Sequence, residues 1–371
     1  MEHFRDEGQS TLLIATNTCR ILALDMKTML PVFTLENPVH HGTPTTFCCD
    51  RRHTWLLIGT THGVLDLWDL RFRVRLKAWG LPGWGYIHRV QLHPIKSRGR
   101  WVCVSSSGIH GNEITVWDIE KFRCREVYQA APLNSSETAT PNGSAPTTHH
   151  RSSRGIATSR AHRLSARDFE AWPVDEDRPE GMLSRFATTS PAAAGLEAGP
   201  PVVGNNGSAA APTNLAGDRM GTLAFIGGLN TPDDDKAASS NSKLGFIVSA
   251  GSDRRIRFWD LANPAGSMIV SGLDAVANGT AASKPQYETT QPGPHLSMVI
   301  EHMPRSSGDG AAAAVSKKGA SPRPPRSTVI SLQQQMLLKS HLDIIQDVAV
   351  LRQPYGMIVS VDRAGMVYVF K

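Results

Sequence analysis

Five short runs of this chain share one arrangement of apolar and polar positions. Leu65-Asp66-Leu67-Trp68-Asp69-Leu70, Ile114-Thr115-Val116-Trp117-Asp118-Ile119 and Ile256-Arg257-Phe258-Trp259-Asp260-Leu261 alternate apolar and polar residues and close on Trp-Asp plus an aliphatic residue. Alternation with a period of two predicts β-strands. Two weaker copies align with them. Arg20-Ile21-Leu22-Ala23-Leu24-Asp25 keeps the Asp and has Leu24 in place of Trp, and Met366-Val367-Tyr368-Val369-Phe370-Lys371 has Phe370 there and Lys371 in place of Asp. A second, continuously apolar run precedes each copy: residues 12–16, 55–60, 101–105, 246–250 and 357–361. Such a run, closed by small or hydroxyl residues, predicts a strand buried on both faces. Thr61-His62-Gly63, Ser252-Asp253-Arg254 and Asp362-Arg363-Ala364-Gly365 supply the tight turns between the two runs.

A strand ending in Trp-Asp is the third strand of a WD-repeat blade, in which the Trp fills the gap between neighbouring blades. The expected fold is therefore all-β, a WD-repeat β-propeller with about five recognisable blades. Its wedges are Leu24, Trp68, Trp117, Trp259 and Phe370, with Asp69, Asp118 and Asp260 completing the pairs. The first intervals fit a blade of ~40–45 residues, whereas Trp117 to Trp259 and Trp259 to Phe370 are too long for one blade. The expected organisation is three repeats over 1–130, an insert over 131–216, a blade over 217–262, a second insert over 263–328 and a last blade over 329–371. Both inserts are rich in small and polar residues and Pro, which bury too little apolar surface to offset ordering entropy, so they are expected to be disordered. Two pieces stand out within them. Phe169 and Trp172 suit anchoring of a short segment onto the propeller or onto a partner, and residues 295–301 read as a more ordered piece. Residues 221–226 and 345–350 are first-strand candidates. Ser340-His341 stands before the latter like the Gly-His of a WD blade, which predicts a hydrogen-bonded chain of His341, Ser360 and Asp362 with a structural role.

Composition narrows the function classes. The chain has 371 residues and a formal net charge of +6. Much of the excess is in Arg71, Arg73, Arg75 and Lys77, in Lys96, Arg98 and Arg100, and in Lys121, Arg123 and Arg125, which are expected on exposed outer strands. A solvated face is the simpler reading, and contact with an acidic partner or an anionic membrane the functional one. Nucleic acid is not expected, because exposed aromatics do not alternate with the basic residues. Five cysteines lack paired spacing, and adjacent Cys48 and Cys49 point to opposite faces of a strand. His40-His41 and His149-His150 are not supported by Cys-x-x-Cys or His-x-x-x-His, so neither metal nor cofactor is expected. No apolar run reaches the ~20 residues of a spanning helix, so membrane attachment is expected through partners or further sequence. Arg254 and Arg255 are expected in an exposed turn as possible protein contacts.

Leu35-Glu36-Asn37-Pro38, residues 55–60, Leu67-Trp68-Asp69-Leu70-Arg71-Phe72, residues 249–261 and residues 341–349 occur in an order that resembles the C-terminal propeller of the regulatory subunit of class III phosphatidylinositol 3-kinase. The resemblance implies a non-enzymatic scaffold that holds the lipid-kinase catalytic subunit and other regulatory subunits. It also implies action in autophagy and in endosomal or vacuolar sorting, from the cytoplasm, with indirect association to those membranes. The kinase-like domain and helical array of that family are not recognisable here: no Gly-rich phosphate loop, His-Arg-Asp or Asp-Phe-Gly is present. Five blades also fall short of its ~seven, so the chain is expected to be a fragment. An alternative comes from Leu67-Trp68-Asp69-Leu70-Arg71, which fits the Trp-Asp-x-Arg of substrate receptors of cullin ubiquitin ligases, with Arg71 either touching the ligase adaptor or pairing with a nearby carboxylate. No paired carboxylates or activated nucleophile at a meaningful spacing support a catalytic site.

Overall fold

The computed structural model describes residues 1–6, 9–96, 100–107, 112–131, 166–174, 221–230, 244–272, 285–303, 340–351 and 356–371. Most of both expected inserts lies outside these residues. The regular elements described are β-strands and short 3-10 turns. Blade 1 is an antiparallel sheet of β1 (Glu2–Asp6), β2 (Gln9–Ala15), β3 (Arg20–Asp25) and β4 (Pro31–Glu36). Blade 2 follows with β5 (Pro44–Cys49), β6 (Trp55–Thr60), β7 (Val64–Asp69) and β8 (Val74–Gly80). Blade 3 has β9 (Ile87–Leu92), β10 (Trp101–Ser106), β11 (Glu113–Asp118) and β12 (Arg123–Gln129). After β13 (Trp172–Pro173) comes blade 4, with β14 (Thr222–Asn230), β15 (Leu244–Gly251), β16 (Ile256–Asp260) and β17 (Met268–Ser271). β18 (Gln286–Gly293) and β19 (Leu296–His302) form a hairpin, and blade 5 has β20 (Ile345–Leu351), β21 (Met357–Asp362) and β22 (Val367–Phe370).

The repeat is a matter of register as well as sequence. Leu24 pairs with Leu12, Trp68 with Leu56, Trp117 with Val102, Trp259 with Ile247 and Phe370 with Ile358, always third strand to second. Alternate residues of a strand point to opposite faces, so every blade contributes to two seams. In blade 2, Leu56, Ile58 and Trp68 join Leu13, Ile21 and Leu35 of blade 1. Leu57, Leu65 and Leu67 instead join Trp117, Val102 and Val104 of blade 3. Trp259 packs among Ile114, Val116 and Tyr128 of blade 3, and Phe370 against Phe246 and Val248 of blade 4. Four of the five wedges thus enter the seam with the preceding blade. Leu24 is half-buried and lies in none of these clusters. Cys48 and Cys49 part in the same way, into the seams with blades 3 and 1 respectively, and all five cysteines are buried. A buried Trp removes roughly 200 Å² from water, on the order of 5 kcal/mol of gross driving force per seam.

First strands line the axial side. Thr45 Oγ1 donates to the Ile87 carbonyl at 2.6 Å, the Val90 N–H donates to Thr46 Oγ1 at 3.2 Å, and the Gly227 N–H donates to Gln91 Oε1 at 3.3 Å. Gly59 is required by this closeness, because a Cβ there would stand 2.6 Å from Ile87 of the next blade. Strands from the two insert regions cover outer edges. β19 runs parallel to β12, with Glu126 opposite Ser297 and Tyr128 opposite Val299, and β13 runs antiparallel to the end of β8. An outer strand left bare is a template for unwanted pairing, and these additions shield part of it.

Candidate interaction surfaces

The Asp that follows the wedge in blades 1–4 has a local task. Asp25, Asp69, Asp118 and Asp260 each accept, through Oδ1, the backbone N–H two residues on, at 3.2, 2.8, 3.1 and 2.9 Å. A short carboxylate capping its own turn fixes the hairpin into the fourth strand. The turns share backbone shape as well: Met29, Arg73 and Phe122, each five residues past the wedge, have φ of 56, 58 and 51°. Asp69 also holds the Arg71 guanidinium by Nη2–Oδ2 and Nε–Oδ1 contacts of 2.7 and 3.3 Å. This ion pair, with the turn N–H groups, keeps the Asp69 carboxyl below the ordinary carboxylate range. Arg71 is thereby oriented within its own turn while its side chain stays 61 % exposed.

Polar side chains reinforce the blades in different ways. In blade 5, His341 is fully buried, with Nδ1 3.0 Å from Asp362 Oδ2 and Nε2 2.6 Å from Ser360 Oγ. A carboxylate only accepts, so Nδ1 carries the proton, and in the neutral ring Nε2 accepts from the hydroxyl. Burial pushes the Asp362 carboxyl up, but the His341 and Met366 hydrogen bonds outweigh it and its pKa is lowered. Both ring nitrogens are occupied and Ser360 is buried, so the chain braces the blade and presents no nucleophile. In blade 2, Trp68 Nε1 donates to Asn37 Oδ1, Asn37 Nδ2 donates to Asp66 Oδ2, and His41 Nδ1 donates to Asp66 Oδ1, at 3.3, 2.8 and 2.8 Å. In blade 4, buried Arg257 binds Asp253 through Nη1 at 2.5 Å and Glu301 of β19 through Nε at 2.7 Å. Glu301 also accepts the Ala131 N–H at 3.0 Å, tying the second insert region to blades 3 and 4. Sequence reasoning missed Asn37, His41, Asp66, Arg257 and Glu301 as a group. One signal was available: Asp66 and Arg257 both stand two residues before a wedge, where an ionised side chain must find a buried partner.

The other sequence-derived residues fall in separate places. Phe169 is buried in the seam of blades 2 and 3 beside Trp79 and Leu296. Trp172 is 42 % exposed and meets Trp84 edge-on at 6.0 Å. Arg254 is half-buried and donates to the Leu342 carbonyl of blade 5 at 3.3 Å. Arg255 was expected in an exposed turn but is buried, its stem running over Gly272, because that turn is packed against its own blade. Arg75 and Arg125 also depart from the expected solvated face. Arg75 turns inward to 3.8 Å from Asp66, and Arg125 binds Asp118 at 3.1 Å. Arg98 and His149-His150 lie outside the described residues. A cavity of about 720 Å³ opens on the axial side between β5, β9 and β14, bordered by Thr45, Arg89, Gln91 and Gly227. Among the described residues no group of His, Cys, Asp and Glu is arranged to hold a metal, and no helix is long and apolar enough to cross a membrane.

Sequence comparison finds relatives among the VPS15 kinases. A VPS15 serine/threonine-protein kinase of Komagataella pastoris is 24% identical over 368 residues, covering 97% of this chain and 21% of that protein. The chain is a distant homologue of the VPS15 kinases over nearly its whole length. The Saccharomyces cerevisiae VPS15 kinase is 30% identical over 137 residues, or 37% of this chain and 9% of that protein. The Schizosaccharomyces pombe vps15 kinase is 36% identical over 76 residues, or 20% of this chain and 4% of that protein. The chain thus spans about a fifth of the Komagataella VPS15 and less of the other two. No family model matches it.

Proposed function

We propose that this chain is a non-catalytic interaction scaffold that serves as the propeller part of a class III phosphatidylinositol 3-kinase regulatory subunit. In this reading it holds the lipid-kinase catalytic subunit and other regulatory subunits, and acts in autophagy and endosomal or vacuolar sorting from the cytoplasmic surface of those membranes. The observation that carries the proposal is the alignment of 97% of the chain with a VPS15 kinase, together with blades that match the motif order of that family's propeller. Two structural features support a scaffold. The titratable groups that resemble a catalytic chain are buried and mutually satisfied, whereas the hairpin turns beyond the Trp-Asp pairs are exposed. Docking on such a surface needs buried aromatic or Arg anchors and burial of roughly 1,200–2,000 Å² in total.

Affinity purification of the chain at native expression tests the proposal. Recovery of a class III phosphatidylinositol 3-kinase catalytic subunit is expected, and recovery of only unrelated complexes rejects it. Phosphotransfer by the homogeneous chain would reject the non-catalytic part alone.

A further inference from the structure

The third-to-fourth-strand turns of blades 1, 2 and 3 emerge at one end of the propeller, with the first-to-second-strand turn of blade 2 beside them. Contacts between blades fix this shared orientation. Arg73 lies over the Phe33 ring of blade 1 at 4.9 Å, Lys77 lies over the Phe122 ring of blade 3 at 3.9 Å, and His53 stacks on Phe4 at 4.1 Å. This end is basic. Arg51, Arg52, Arg73, Lys121 and Arg123 are exposed and form no ion pair among the described residues. Of its carboxylates, Asp25, Asp50, Asp69 and Asp118 are turned inward onto the N–H groups of their own turns, and exposed Glu120 pairs with Arg100. Large apolar side chains stand at the tips beside these cations: Met29 is 61 %, Leu30 65 % and Phe72 70 % exposed. Exposure of this size belongs to side chains that project, not to side chains that line a pocket.

We propose that this end of blades 1–3 binds the surface of an anionic phospholipid bilayer directly, with Leu30, Met29 and Phe72 entering the interface and the arginines and lysines meeting the headgroups. Single apolar tips separated by cations gain little from a protein partner, which needs a contiguous apolar centre enclosed by packed neighbours. A bilayer accepts each tip separately and rewards each nearby cation. The proposal is independent of the docking of kinase subunits, because it needs only the chain and lipid.

Co-sedimentation of the purified chain with phosphatidylcholine vesicles, with and without phosphatidylserine, tests it. Binding is expected only with phosphatidylserine and is expected to weaken with salt. A cation near an anionic surface contributes about 1 kcal/mol, roughly fivefold, so Arg51→Glu, Arg52→Glu and Arg73→Glu combined should weaken binding at least ~100-fold. Leu30→Ser with Phe72→Ser should weaken it about tenfold or more at unchanged charge. The same charge changes at Arg20, Arg254 and Arg363, which lie at the opposite end, should cost far less. Arg73 and Arg254 each touch a neighbouring blade, so an unchanged circular dichroism melt is required of every variant before its binding is compared. Equal binding to both vesicle types, or no loss on charge reversal, overturns the proposal. Full binding by the Leu30→Ser, Phe72→Ser variant, with displacement of the vesicles by polyglutamate, also overturns it and identifies an acidic protein as the partner.

Discussion

Blades 3 and 5 are held in the propeller by different means. In the first, Trp117 is fully buried among apolar residues of both blades, and its indole N–H donates to Thr115 Oγ1 at 2.9 Å. In the second, Phe370 is only half-buried and the neighbouring Val367 and Val369 are 60 % and 59 % exposed. Blade 5 has instead the complete polar chain of His341, Ser360 and Asp362, with Tyr368 edge-on to the imidazole at 4.2 Å. A strong wedge and a strong internal brace are thus separable devices. The repeat survives where one of them has decayed, because the other still fixes the blade. Blade 2 combines them, since Trp68 is itself wired through Asn37 to Asp66 and His41.

Removing the stronger wedge should have the largest effect. Trp117→Ala is expected to destabilise by about 3–5 kcal/mol in denaturant unfolding, since the cavity would lie between two rigid sheets. His341→Ala attacks the brace. It leaves the Asp362 carboxylate and the Ser360 hydroxyl buried without their partner, for a loss of about 2–3 kcal/mol, and a cost near zero would show that the chain does not hold blade 5. A third test uses an internal weakness of the well-wedged region. Glu113, at the start of β11, is buried and burial raises its carboxyl from 4.5 to about 7. The unfolded chain ionises first, so this group removes stability as pH rises from its unfolded value towards 7, and the deficit is complete above that. Glu113→Gln should therefore leave stability near pH 4 unchanged and raise it by about 3 kcal/mol at pH 8. Unfolding midpoints across that window check the sign. Phe370→Ala should have the smallest effect, about 1–2 kcal/mol, because a half-exposed ring loses less burial.

The sequence was legible where a residue's role depends on its own strand. Trp55–Thr60 forms β6 as its apolar run implies, and the Trp-Asp runs fall on third strands in matching register. It was less legible where roles depend on what packs against a strand from elsewhere. Residues 296–302 form β19, but nothing local specifies that it adds parallel to β12 or delivers Glu301 to Arg257. Arg255 and Arg75 have exposed-type side chains, and only the packing of neighbouring elements turns them inward. Of the surface, the individual basic residues were visible in sequence. Their gathering at one end with Leu30 and Phe72 required the register of three sheets.

Amide hydrogen exchange on the chain and on Trp117→Ala tests most directly the claim that successive blades are joined by third-strand wedges. The account predicts that protection falls together in β10 and β11 and in β6 and β7 of the preceding blade, while β20 and β21 retain theirs. Loss confined to the sheet that carries Trp117, with blade 2 untouched, would contradict it.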